Sequence, residues 1–146
     1  MKRRFSSTVS FALAVVFGLG FSGIVAAGEQ VPFKGSLEAE VAVTFLPFPE
    51  VIVVAEGSGN SAHLGAYTYT NKNLVDLLTN TAEGTYEFTA ANGDKVFATS
   101  TSKSKPSGVP GVLFTVEIVT ITGGTGRFAN ATGGFVVERL LNAGAG

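Results

Sequence analysis

The chain has 146 residues, ten of them basic and eleven acidic, with one histidine, no cysteine and a net charge near −1. So even a balance offers no basic patch for nucleic-acid phosphates. The missing cysteines exclude disulfide staples and thiolate chemistry and, with a lone histidine, leave too few ligands for a structural zinc site.

The N-terminus opens Met1-Lys-Arg-Arg4, continues through the apolar run Phe11 to Phe21 and closes on the small residues Val25-Ala26-Ala27. A positive start, an apolar middle and a small-residue end are the parts of a secretory signal peptide, in order. The glycine-rich run is short for a membrane span of about 20 apolar residues. Cleavage is expected after Ala27, dividing the chain into a signal peptide (1–27) and one domain (28–146). Losing Lys2, Arg3 and Arg4 leaves 119 residues at a net charge of −4, enough for a single core. The expected location is therefore secreted or periplasmic, without a stable membrane span after cleavage.

The mature segment reads as successive strands. Leu37, Ala39, Val41, Val43 and Phe45 alternate on one face of the first, and Pro47 and Pro49 break it. Val51 to Ala55 is a short apolar strand ending at Gly57-Ser-Gly-Asn60. His63 to Thr70 carries a Tyr-x-Tyr alternation, and Asn73 to Leu78 fits either a helical turn or more strand. Thr85 to Ala90 puts Tyr86 and Phe88 on one side. Asn92-Gly93 is a preferred two-residue hairpin turn, Val96 to Thr101 returns, and Lys103 to Gly111 reads as a loop. Val112 to Thr122 is the longest apolar strand, and Phe135 to Leu141 the last. About seven strands with regular turn signals indicate an all-β barrel or sandwich.

Between the last two strands lies Ile121-Thr-Gly-Gly-Thr-Gly-Arg-Phe-Ala-Asn-Ala-Thr-Gly-Gly-Phe-Val-Val137. Its glycines at 123, 124, 126, 133 and 134 suit positive-φ backbone. Gly124-x-Gly126-x-x-Ala129 matches the dinucleotide fingerprint, but that motif requires a following helix and an acidic residue about 20 positions on. Here a second strand follows instead.

Gly123-Gly124-Thr125-Gly126-x-Phe128-x-x-Ala131-x-Gly133 resembles the turn of plant dirigent proteins and, more loosely, of allene oxide cyclases. The whole mature segment is similar to a group of uncharacterised secreted bacterial proteins, in runs such as Pro32 to Glu38, Ala91 to Asp94 and Pro110 to Leu113. The resemblance implies a single antiparallel β-barrel of the allene oxide cyclase type with eight strands, and self-association as a homo-oligomer (dimer or trimer). If the eighth strand is missing, the sheet has two open edges.

Candidate chemistry is sparse. Glu38 and Glu40 share a strand face but read as a solvated pair, and His63 as a loop histidine. No Gly-x-Ser-x-Gly elbow exists, and no metal or cofactor is expected. In the longest strand, Val112, Phe114, Val116 and Ile118 form the more uniformly apolar face. Alternation therefore points them inward and Glu117 toward solvent or a subunit interface. In the reverse sense, Glu117 sits among aromatics, where burial favours its protonated form and makes it a candidate acid or base.

The expected interior is Val41, Val43, Tyr86, Phe88, Phe114, Val116, Phe135 and Val137. Its leading use is binding a small apolar or aromatic molecule in the barrel mouth. Tyr67, Tyr69, Phe88 and Phe114 are the contact residues, the two tyrosines offering a flat surface with polar tips. The alternatives are a cyclase or dirigent-like enzyme with Glu117 or Tyr86 handling the proton, and a structural protein of the cell envelope.

Overall fold

Two-residue alternation governs the chain from residue 35 onward. The computed structural model describes residues 3–5, 11–12 and 35–142. The strands are β1 (Arg3–Phe5), β2 (Phe11–Ala12), β3 (Gly35–Phe45), β4 (Glu50–Ser61), β5 (Gly65–Asp76), β6 (Thr81–Ala90), β7 (Lys95–Pro106), β8 (Val112–Gly124) and β9 (Gly133–Asn142). From β3 to β9 each strand pairs antiparallel with the next, giving one up-and-down meander. The two short strands, which fall within the expected signal peptide, both pair with β3. The expected cleavage site at Ala27 lies outside the described residues. Among those residues no helix is long and apolar enough to cross a membrane.

Several strands run further than local sequence suggests. β4 continues past Gly57 to Ser61, β5 reaches Asp76, and β7 extends through the expected loop to Pro106. Pairing with a neighbour on both sides overrides weak local propensity.

The sheet is not closed. Among the described residues no pairing joins β9 to β3, so the expected barrel is not completed. The backbone edge that β3 would offer is taken by β1 over Val41–Val43 and by β2 over Ser36–Leu37. The sheet is nevertheless strongly curled. Phe88 on β6 and Phe135 on β9 stand three strands apart, about 14 Å along a flat sheet, yet their ring centroids are 6.5 Å apart. A bulge between Phe97 and Ala98 leaves Thr122 as an extra residue on β8, its hydroxyl bonding to the Phe97 carbonyl; bulges of this kind sharpen the bend.

One end of the curl is covered by three hairpin loops. The Arg127 guanidinium donates to the Leu64 carbonyl, and the Arg127 N–H to Asp94. Thr125 and Lys95 exchange two hydrogen bonds, and Leu64 is buried beneath them. The glycine segment is thus a folded lid: a three-residue 3-10 turn (Gly126–Phe128), then β9, with no α-helix as a dinucleotide site requires. Gly123, Gly126 and Gly133 take positive φ as expected. Gly124 and Gly134 do not; they are small because a Cβ would run into the carbonyls of Lys95 and Val119. At the β6–β7 hairpin only Gly93 has positive φ (+89°). The Gly93 N–H bonds to the Ala90 carbonyl, so the turn is longer than the expected two-residue form.

The core comprises Ala39, Leu64, Tyr67, Tyr69, Tyr86, Phe88, Ala90, Val96, Ala98 and Val119, with Phe135 and Val137 packed against it. The sense of β8 is opposite to that expected. Glu117 is fully buried (0% exposed) and Ile118 is 56% exposed, while Phe114 and Val116 lie on the outer face. Directly opposed residues share a face, and Val119 stands opposite Phe135, Glu117 opposite Val137. Once the β9 aromatic turns inward, Glu117 must follow it.

Two substitutions separate the demands on the glycines. Gly126 combines φ +54° with the Asp94 carboxylate where a Cβ would go, whereas Gly93 has open space. Gly126→Ala is expected to cost about 2–3 kcal/mol through strain and overpacking. Gly93→Ala is expected to cost only about 1 kcal/mol, from backbone strain alone. Urea denaturation of both variants checks the order.

Candidate functional site

From β5 to β9 the concave face of the sheet is built from alternate residues of each strand. On β5 these are Tyr67, Tyr69, Asn71 and Asn73; on β6, Gly84, Tyr86 and Phe88; on β7, Ala98, Ser100 and Ser104; on β8, Thr115, Glu117 and Val119. On β9 they are Phe135, Val137 and Arg139. Half of this surface is aromatic and half is polar.

The aromatic half is a contiguous stack. Tyr86 and Phe88 lie parallel at 5.5 Å between centroids, Tyr69 stacks on Phe88 at 6.0 Å and on Tyr86 at 6.4 Å, and Tyr67 meets Phe88 edge-on at 5.7 Å. Offset and edge contacts of this kind match the charge distribution of the rings. The three tyrosines are buried within the curl.

The polar half satisfies itself almost completely. Asn71 donates to the Thr85 carbonyl, Asn73 donates to Asn71 at 2.6 Å, and the Ser100 hydroxyl reaches Asn73. Gly84 leaves the room that the Asn73 amide occupies. The Ser104 and Thr115 hydroxyls bond at 2.7 Å.

At the junction of the two halves, Arg139 Nη1 donates to Glu117 Oε2 at 2.7 Å; the side chains are 19% and 1% exposed. The other carboxylate oxygen, Glu117 Oε1, is buried and has no hydrogen-bond partner among the described residues. The Tyr86 hydroxyl lies close to both charges.

The electrostatics follow from burial. Burial raises the Tyr86 phenol well above its ordinary value, and the adjacent Glu117 charge adds to the rise against Arg139. Burial, with Tyr67 and Glu117, pushes Tyr69 up to about 12. Burial alone would lower Arg139, but Glu117 and Tyr86 more than offset it and hold the guanidinium firmly charged. Tyr86 thus keeps its proton at neutral pH.

Of the residues singled out from sequence, the structure brings Tyr67, Tyr69, Tyr86, Phe88 and Glu117 together. Phe114 does not join them. It sits on the outer face with the Lys105 ammonium 5.5 Å from its ring centre. Glu38, Glu40 and His63 are exposed. Arg139, Asn71 and Asn73 went unnoticed. Their signal was in the alternation: Arg139 continues the Phe135, Val137 face, and the two asparagines continue the Tyr67, Tyr69 face.

The concave face is least covered where the sheet fails to close. Val41 and Val43 on β3, and Phe135, Val137 and Arg139 on β9, are only partly buried, whereas the inner residues at the middle of β5 to β8 are sealed. An open depression of about 470 Å³ lies on the opposite, outer face, along Thr70, Lys72, Thr85, Glu87, Phe97, Thr99 and Thr122.

Removing one charge should be far worse than removing both. Arg139→Met leaves a lone buried carboxylate and is expected to cost about 3–5 kcal/mol, while the double variant with Glu117→Met is close to neutral. Unfolding free energies around the cycle test this. Stability should also fall in alkali. Tyr69 ionises near 10 when unfolded and near 12 when folded, so its contribution is complete below pH 10 and drains away between pH 10 and 12. Thermal melts across that window, with phenolate absorbance, check the sign.

Comparison with protein-family models, with curated proteins and with solved structures returns no match, so the resemblance stands on the residues of the chain alone.

Proposed function

We propose that this protein is an exported binder of a small aromatic or apolar molecule that carries one hydroxyl group. The carrying observation is Glu117 Oε1, a buried carboxylate oxygen with no hydrogen-bond partner among the described residues, beside a stack of aromatic rings. A buried polar atom without a partner is costly, and a ligand hydroxyl would supply the missing donor. On the concave face Val41, Val43, Phe135 and Val137 are only partly buried and offer apolar contacts, with Arg139 beside the acceptor. An apolar site with one or two placed polar groups is the usual form of a small-molecule pocket. The resemblance of the glycine turn to allene oxide cyclases and dirigent proteins supports the same reading.

A cyclase or dirigent-like enzyme is the second reading, favoured by the coupling of the Tyr86 hydroxyl to Glu117 and Arg139. In that case Glu117 takes the proton and Tyr86 donates a hydrogen bond to an oxygen of the reacting molecule.

The test compares 1-naphthol with naphthalene. The chain has no tryptophan, so tyrosine fluorescence reports on the stack. Binding of 1-naphthol should be at least about tenfold tighter, because a hydrogen bond to a carboxylate is worth about 1.5–3 kcal/mol. Glu117→Gln should remove most of that preference while leaving naphthalene unchanged. Equal affinity for the two probes, or no binding of either, overturns the proposal. Native mass spectrometry of protein from its own host then identifies any resident molecule.

A further inference from the structure

The outer faces of β7, β8 and β9 form a self-complementary patch. Register places three rows across them: Thr101, Ile118 and Val136; Lys103, Val116 and Glu138; Lys105, Phe114 and Leu140. Two of the apolar members are exposed, Ile118 at 56% and Leu140 at 62%, and Phe114, Val116 and Val136 are half-buried. In the middle row a positive and a negative side chain flank Val116. They stand two strands apart, about 10 Å, and neither makes an ion pair among the described residues. Beside them, a depression of about 200 Å³ is lined by Lys103, Ser104, Lys105, Phe114 and Val116.

We infer that a second copy of this chain docks face to face on this patch, about a two-fold axis running along β8 at Val116. That operation exchanges the β7 and β9 sides and keeps each row at its own height. Lys103 of one copy then meets Glu138 of the other, twice over, and Val116 meets its own copy at the centre. Leu140 of each copy reaches over the Lys105 and Phe114 row, into the depression of its partner. The occupant is chosen by charge: a small apolar ligand would leave both Lys103 and Glu138 unanswered, and a membrane surface would not favour Glu138. A two-fold interface requires such mutual correspondence, and opposed charges set its register. This inference is independent of the ligand-binding reading, since the inner face plays no part in it.

Sedimentation of the purified protein should show a dimer that weakens with salt. Lys103→Glu and Glu138→Lys each place like charges opposite one another at both contacts, and each should raise the dissociation constant at least about tenfold. Both residues are exposed, so folding is not at stake. Mixing the two variants should restore association, because every contact then pairs opposite signs. A monomeric wild type, a trimer, a dimer indifferent to either substitution, or a mixture that stays monomeric would each overturn the inference.

Discussion

The bond between Arg139 and Glu117 is the interaction on which the interior turns. It crosses diagonally from β9 to β8, since Glu117 stands opposite Val137 and Arg139 opposite Thr115. With Glu117 inside, Thr115 and Val119 must also be inside, and both are sealed from solvent. A buried ion pair is weak evidence for stability in itself. What it enforces is register: a slip of one residue along β8 would expose Thr115 and Val119 and strand the arginine among apolar side chains.

That register divides the chain in an unusual way. The concave face carries a carboxylate, a guanidinium, asparagines, serines and tyrosines, while the outer face of β8 and β9 carries Phe114, Val116, Ile118, Val136 and Leu140. A polar interior has to be hydrogen-bonded, and among the described residues the one buried side-chain oxygen or nitrogen without a partner is Glu117 Oε1. The proposed docking of a second copy rests on this apolar exterior. The small-molecule proposal and the dimer proposal thus spring from the same inversion of β8, seen from its two sides.

Much of the candidate site was legible because its strands are joined by tight connections. In β5 and β6 the tyrosines and Phe88 alternate cleanly, and four residues link the two strands. Glu117 and Phe114 were not legible. The apolar count on β8 favours one face, and only its neighbours reverse that. The segment from Thr125 to Thr132 folds back as a lid, and nothing in its composition sets the offset between β8 and β9. Arg139 was visible only as a charge interrupting an apolar face, a feature that means little until a partner is known.

The amino-acid sequence by itself determined the all-β class, the order of the long strands, the turn at the late glycines and the shared face of Tyr86 and Phe88. Each of these follows from side-chain period and backbone preference, which act within a few residues. Only the tertiary structure decided which face of β8 turns inward, that β9 stops short of pairing with β3, and that Glu117 meets Arg139. Those outcomes depend on lateral register between strands and on competition for one open edge. Both couple residues far apart in the chain, and a local pattern contains no information about either.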